Sequence, residues 1–162
     1  MAVTPTGAMG VRMAAVKTML SESATFQTLV GAADAAAALP YIFVGFVEGE
    51  VVPPFAVVGI DGEVERRSIS EAPGDYSYFD GAETVITILA PIHEDNRDSK
   101  EDAIYDFDNK TEAVLDEISA VSQSTGKLII TGVRSGVIEI CKAEESRSFR
   151  DWFMQRTIRI AA

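Results

Sequence analysis

Apolar residues recur at helical spacing in two separate parts of the chain. Near the N terminus, four of them are spaced four, three and four residues apart: Met9, Met13, Val16 and Leu20. This spacing places them on one face of a helix. We expect the helix to begin at Thr4-Pro5, because Thr caps helices well and Pro fits the first helical position. A shorter apolar turn follows at Phe26–Val30 and ends at Gly31.

The second amphipathic segment covers residues 99–121. The residues expected to face the core follow one another at intervals of three or four positions: Ile104, Phe107, Thr111, Val114, Ile118 and Val121. The opposite face is acidic, so one side of the helix packs and the other faces water. Ser99 and Asp102 have the spacing of a capping box, which predicts that the helix starts at Ser99.

Most other segments are typical of β-strands. Runs rich in β-branched and aromatic residues predict strands at residues 41–47, 55–60, 63–69, 83–90, 127–132, 136–142 and 151–160. Asp61-Gly62 is typical of a two-residue hairpin turn, so we expect the strands on either side of it to pair. In the last strand, alternation puts one set of side chains on a common face: Trp152, Met154, Arg156, Ile158 and Ile160.

This order of elements predicts an α+β fold, with a mostly antiparallel sheet and two main helices packed on one face. We expect a single domain over residues 1–162, because the chain contains no repeat and no linker long enough to divide it. The Ala-rich residues 32–38 are interpreted as a connector. The segment at about 48–82, which contains Pro53-Pro54 and Pro73-Gly74-Asp75, is expected to project as a loop or hairpin.

Composition excludes several classes of protein. One Cys excludes a disulfide framework, and the chain has no Cys/His cluster for structural zinc. The longest nearly apolar run, residues 35–47, is too short to span a bilayer and contains Pro40. We therefore expect a protein of a reducing, cytosolic compartment that has no membrane partner.

Charge is distributed unevenly along the chain, whose formal net charge is −11. Residues 94–126 hold 3 basic and 10 acidic side chains, whereas residues 127–162 hold 7 basic and 4 acidic ones. The overall negative field opposes phosphate binding, so we expect no specific nucleic-acid binding. An acidic middle and a basic end suit a head-to-tail assembly of copies. Ordinary solvated faces explain the same charges equally well.

Residues that could carry chemistry lack the partners that chemistry needs. His93 is the only histidine, and no Gly-x-Ser-x-Gly motif offers a nucleophile. Cys141 lies in an apolar strand and is interpreted as a small buried packing residue. Asp106-Phe107-Asp108 superficially resembles the start of a calcium loop, but Thr111 stands where that loop needs Gly. We predict no enzyme, no metal site and no cofactor.

The basic end of the chain is the candidate interaction surface. There, Arg side chains are interleaved with aromatic ones, a mixture that protein interfaces favour. Taken alone, the same mixture would suit single-stranded nucleic acid, and a sheet face with local ion pairs is the structural alternative. The candidate interface residues are Arg147, Arg150, Trp152, Arg156 and Arg159.

Three short segments resemble a known family. VKTML at residues 16–20, FQTLVG at 26–31 and LPYIFVG at 39–45 resemble the opening of tailed-bacteriophage tail-terminator (tail-completion) proteins. The order of the later elements, a strand at 84–89, an acidic loop, the helix at 99–121 and an Arg-bearing closing strand, also fits that family. Segment 48–75 is longer than the family's usual connection.

The resemblance implies an α+β subunit that assembles as a ring, often a hexamer. The ring caps the tail tube, ends its polymerisation and provides the surface to which the head attaches. Implied partners are other copies of the chain, the tail tube protein and a head-completion or connector protein. No cofactor or catalysis is implied. The implied location is the tail or neck of the virion, after assembly in the host bacterial cytoplasm.

Other functions remain open at this point. The nearest is another head–tail connector or neck protein, which shares small α+β subunits and ring assembly. A cytosolic, non-catalytic binding or adaptor domain is a different class. A small hydrolase that uses paired carboxylates is a third, and it would need a deep pocket with clustered acids or His93 inside it.

If the basic segment forms a ring contact, replacing both Arg147 and Arg150 by Glu lowers the mass of the oligomer at moderate salt. The reversed charges would repel the acidic surface that the arginines attract. Sedimentation measures the mass, and the double change to Lys, which keeps the charge, is the control. An unchanged mass would exclude these residues from the contact.

Overall fold

The computed structural model describes residues 2–47, 51–62, 64–68, 76–80, 82–92, 100–125, 130–142 and 152–161. Within these ranges the helices are α1 (Ala8–Ser21), α2 (Ala24–Val30), α3 (Ala35–Ala38) and α4 (Lys100–Thr125), with a 3-10 turn at Leu39–Tyr41. The strands are β1 (Ile42–Val44), β2 (Phe55–Asp61), β3 (Val64–Ser68), β4 (Tyr76–Asp80), β5 (Glu83–Pro91), β6 (Gly132–Ser135), β7 (Glu139–Lys142) and β8 (Trp152–Ala161).

The main sheet has six strands in the order β1-β2-β5-β8-β6, and β7 pairs with β8 beyond the end of β6. Strand β1 runs parallel to β2, whereas the other pairings of this sheet are antiparallel. The sheet is therefore mixed, and the α+β class predicted from the sequence is confirmed. Strands β3 and β4 form a separate two-stranded sheet.

The helices cover one face of the main sheet and bury a single core. Apolar side chains from α1, α2 and α4 meet those of the central strands β5 and β8, and the fully or nearly fully buried ones include Met19, Leu20, Phe26, Phe107, Ile118, Ile86, Ile88, Ile158 and Ile160. Helices α1 and α4 are the two main helices, as predicted, and the shorter α2 adds Phe26 and Val30. Alternating burial along β8 confirms the predicted face, including the inward position of Arg156.

Helix α1 begins later than the sequence predicts. Its first residue is Ala8, and Gly7 occupies the N-cap position without a side-chain hydrogen bond. Pro5 instead lies against Gly10, alongside the first turns of the helix. The predicted start at Thr4-Pro5 is therefore wrong, and the described residues before Gly7 are exposed. The Ala-rich connector also contains a helical turn, α3, which Asp34 caps through the backbone N–H of Ala37.

The hairpin predicted across Asp61-Gly62 is wrong. Strand β2 pairs along its whole length with β5 on one side, and β1 pairs with Ala56–Val58 on the other. The chain leaves the main sheet at Gly62, whose φ of 104° is a conformation that favours glycine. Strand β3 pairs with β4, a strand that the sequence pattern did not predict. This hairpin lies within the segment expected to project, and the loop predicted at Pro73-Gly74-Asp75 lies outside the described residues.

Strands β6 and β7 are two parts of one interrupted edge strand. Both pair with β8, at Ile158–Ala161 and Trp152–Gln155 respectively. Between them, Gly136 donates its backbone N–H to the carbonyl of Thr157 at 2.8 Å. The predicted strand at 127–132 is therefore displaced, because only Gly132 of it belongs to β6. Helix α4 extends to Thr125, past the predicted end, while Ser99 lies outside the described part of the chain.

A carboxylate on α4 holds the start of α2. Glu117 accepts hydrogen bonds from the hydroxyls of Ser23 and Thr25 and from the backbone N–H of Thr25. Ser23 also caps α2 by accepting from the N–H of Phe26. Partial burial acts to raise the pKa of Glu117, but these hydrogen bonds outweigh it and hold that pKa below its ordinary value.

Replacing Glu117 by Gln is expected to lower the free energy of unfolding at neutral pH by about 1 kcal/mol, because the amide cannot accept all three hydrogen bonds and water screens the site. A carboxylate whose pKa is depressed by folding stabilises the protein above its unfolded pKa and loses that effect as pH falls through its folded pKa. The variant should therefore lose less stability than the parent between about pH 5 and pH 3. Urea titrations across this range measure both effects.

The matched control is Asp116→Asn, which removes a neighbouring carboxylate that is exposed on the same helix. Parallel pH profiles for the parent and Glu117→Gln would contradict the assigned role of Glu117.

Candidate functional site

Strand β8 carries three of the five candidate interface residues, and it separates them. Arg156 points into the protein and is 8% exposed, whereas Arg159 lies on the opposite face of the sheet. Trp152 is half-buried at the start of β8, opposite Lys142 in β7. Arg147 and Arg150 lie outside the described residues. The structure thus does not bring the described candidates together in one surface.

Arg156 is held by an internal network of charged and polar groups. Its Nη1 lies 2.7 Å from Oδ1 of Asp108 and 2.8 Å from the hydroxyl of Thr111. Its Nη2 lies 2.7 Å from Oε1 of Glu112, and its Nε donates to the carbonyl of Gly136 at 3.0 Å. The guanidinium therefore connects α4, β8 and the interruption of the edge strand.

This network changes the role that the sequence gave to Arg156. Arg156 is 8% exposed and its guanidinium is engaged by partners in its own chain, so it offers little surface for another protein to contact. The hydroxyl of Thr111 in turn donates to backbone carbonyls at Phe107 and Asp108, which explains how a polar residue fits the apolar stripe of α4. Arg156 is a structural residue that fixes α4 against the sheet.

Arg159 belongs to a charged cluster on the open face of the sheet, away from the helices. It pairs with Asp61 of β2 and approaches Glu83 of β5, and Glu83 also pairs with Arg134 of β6. The hydrogen bond and the positive charge from Arg159 hold the pKa of Asp61 below its usual value. The sequence did not predict this cluster, because its members come from four strands whose order only the fold sets.

The open face becomes apolar towards its other end. Phe43 of β1 and Phe55 of β2 are in edge-to-face contact, with ring centroids 5.6 Å apart. Leu89, which pairs with Phe55 across the sheet, is 8% exposed. Phe153 and Cys141 are opposite each other in β8 and β7. The face thus carries paired charges at one end and packed apolar side chains at the other.

Exposed apolar side chains concentrate at the two edges of the main sheet. We define the β1 edge by Leu39, Tyr41, Val44 and Phe46, and the β6–β7 edge by Val133, Val137 and Ile140. These account for seven of the twelve large hydrophobic residues that are exposed in the described ranges. Phe46 is 68% exposed and Val137 is 80% exposed. In sequence, the only sign of the β1 edge is that residues 35–47 include no charged residue.

Two clefts lie among the described residues. A cleft of about 290 Å³ between α4, Pro54 and the ends of β5 and β8 is lined mainly by apolar side chains, and its Asp106 and Lys110 pair with each other. A second, more open cleft of about 350 Å³ lies beside Arg134, Thr157 and Arg159. Ser135 and Glu139 also line the second cleft, where the Ser135 hydroxyl donates to Glu112 at 3.3 Å and Glu139 accepts from Gln155 at 2.9 Å.

The other candidate chemical groups are placed as follows. Cys141 is half-buried rather than buried, because β7 is at the sheet edge, and partial desolvation together with Glu139 raises the pKa of its thiol. Asp106-Phe107-Asp108 lies within helix α4, so it does not form a calcium loop. His93 lies outside the described residues. Within the described ranges, no group of three or more His, Cys, Asp or Glu is placed to hold a metal ion. No helix in those ranges is long and apolar enough to cross a membrane.

Arg156→Met is expected to lower the free energy of unfolding by about 2 kcal/mol, because the change leaves Asp108, Glu112 and the Gly136 carbonyl without their shared donor. The side chains of both acids are about half exposed, which keeps the loss below that of a fully buried ion pair. Arg159→Met is the matched control and should cost much less, since its ion pairs are exposed to solvent. Chemical denaturation compares the two, and equal losses would contradict the structural role of Arg156.

Comparison with known proteins does not identify the chain. No family model matches it, and no curated protein matches its sequence.

Proposed function

We propose that this chain is a tail terminator, a virion structural protein whose ring caps the tail tube. The ring would end polymerisation of the tube and provide the surface to which the head attaches. The observation that carries the proposal is the concentration of exposed apolar side chains at both edges of the main sheet, as the described residues form it. The three N-terminal segments that resemble the family support the same conclusion.

Open sheet edges are hazardous in a monomer, because unpaired backbone groups and apolar side chains attract other strands. Soluble monomers usually protect such edges with charges or cover them. Here the β1 edge lacks charged side chains, and Arg134 and Glu139 beside the β6–β7 edge are engaged with Glu83 and Gln155. A subunit with two different apolar edges can bind one neighbouring subunit at each edge. Repeated contacts of this kind close into a ring or continue as a filament.

The proposal assigns the chain a role in assembly and no catalytic reaction or cofactor. Its partners are other copies of the chain, the tail tube protein and a head-completion or connector protein. It acts in the tail or neck of the virion. The closest alternative, another head–tail connector or neck protein, would use the same kind of ring and differs in which neighbouring protein it binds.

Light scattering and electron microscopy of the purified protein test the proposal. We expect a discrete species several times heavier than the 17.4 kDa chain, seen as closed rings. Rings added to a polymerising tail tube protein from the same genome should bind one end of each tube and shorten the tubes. The matched control is the same titration with heat-denatured protein.

The possible results separate the candidates. Rings that leave tube length unchanged favour another neck protein over a terminator. A monomer that persists at high concentration contradicts ring assembly and favours the non-catalytic binding or adaptor domain.

A further inference from the structure

The directions of the strands at the two edges of the main sheet are compatible with each other. Strand β1 is parallel to β2, and two antiparallel steps, from β2 to β5 and from β5 to β8, make β8 parallel to β1. Strands β6 and β7 are antiparallel to β8 and therefore to β1. If a second copy continues the sheet in the same orientation, the strands at the junction are antiparallel, which is the arrangement that neighbouring strands pair in most often.

Exposed apolar side chains lie on the same side of both edges. Val133 and Ile140 are paired across β8 with Ile160 and Met154, two buried residues of the face that the helices cover. Val44 is paired with Val58, which is also buried on that face. A continued sheet would place Val133 and Ile140 of one copy and Val44 of the next on one surface, beside the core of each.

The helices next to the two edges carry opposite charge. Helix α1 packs against β1, β2 and the 3-10 turn, and its charged side chains are both basic: Lys17, and Arg12, which also donates to the carbonyl of Ala82. Helix α4 lies beside the other edge, where Glu112 reaches Ser135 of β6. Helix α4 contains seven acidic and two basic residues. Both helices lie on the same face of the sheet, so a continued sheet brings the acidic helix of one copy towards the basic helix of the next.

We propose that the β6–β7 edge of one copy binds the β1 edge of a second copy of this chain. The contact is head to tail, its centre is apolar, and α4 of the first copy faces α1 of the second. The inference rests on the proposed function, because it names the contact between subunits of the ring. It differs from the basic surface around Arg147 and Arg150 that the sequence suggested.

The opposite charges of α1 and α4 favour a second copy of this chain as the partner that binds each edge. A contact of the β1 edge with another β1 edge would bring two basic helices together, and a contact between two β6–β7 edges would bring two acidic helices together. Like charges across an interface are repulsive, so both symmetric contacts are disfavoured. Only the pairing of unlike edges matches the apolar side chains, the strand direction and the helix charges at once.

Two variants, each with one edge changed, test this contact. Phe46→Glu places a charge on the β1 edge and Val137→Glu places one on the β6–β7 edge. Each variant alone should be a monomer at concentrations where the parent is fully assembled. An equimolar mixture at high concentration should form a dimer of twice the 17.4 kDa chain mass, because each variant keeps the edge that the other needs. Native mass spectrometry identifies the two chains in that dimer.

The matched control is Thr87→Glu, which places the same charge on the central strand β5, on the face away from the helices and away from both edges, and should keep the parent's mass. Thermal melts show whether each variant is folded, and Phe46→Ser with Val137→Ser is the milder pair if the Glu variants unfold. If the folded single variants assemble as the parent does, the proposed contact is wrong. A folded mixture that remains monomeric, or a single variant that dimerises alone, also overturns it.

Failure of this inference differs from failure of the proposed function. A parent protein that forms rings but is unaffected by either edge change retains the proposed function and excludes the edge contact. If both edge changes prevent assembly but the parent protein never caps a tube, the contact is confirmed and the tail-terminator role is excluded. A parent that is monomeric at every concentration excludes both.

Discussion

The ion-pair network of Arg156 fixes the arrangement on which the rest of this subunit depends. Arg156 stands in β8 between Met154 and Ile158, both of which are buried. A cation at such a position is stable only where partners replace the water it loses. Helix α4 supplies Asp108 and Glu112, one turn apart, and the edge strand supplies the carbonyl of Gly136. The rotation of α4 and the interruption between β6 and β7 are therefore set together.

This constraint has consequences at the edge of the sheet. Because Asp108 and Glu112 face Arg156, much of the remaining acidic surface of α4 stays in water. Because Gly136 turns its carbonyl towards the guanidinium and its N–H towards Thr157, the edge strand is interrupted and Val137 lies in solvent. The same buried group thus shapes both the charge and the apolar exposure next to the proposed subunit contact. On the other face, the pairs between Arg159, Asp61, Glu83 and Arg134 keep the charged end of the sheet locally neutral.

A candidate site of this kind is only partly visible in a sequence. The basic, aromatic segment at the end of the chain drew the initial interface prediction, since charged residues are conspicuous in sequence. Arg156 satisfies the same pattern but is internal, because its partners lie 44 and 48 residues earlier in the chain. The exposed edges have almost no local signature: Val44 and Val58 are both Val in a strand, yet one is 39% exposed and the other is buried. Which strand lies at an edge depends on the order of strands in the sheet.

The sequence by itself determined the α+β class, the faces of α4 and β8, and the end of α2 at Gly31. Helical and strand periodicities are local, and the left-handed cap at Gly31, with φ of 71°, needs a residue without Cβ. Tertiary structure alone decided the pairing of β2 with β1 and β5, the partners of Arg156 and the identity of the open edges. Asp61-Gly62 carries a strong local turn signal, but β2 pairs with β5 along its whole length and with β1 at Ala56–Val58, so long-range pairing overrides the hairpin. Competition between distant strands for the same backbone groups is not encoded in any short segment.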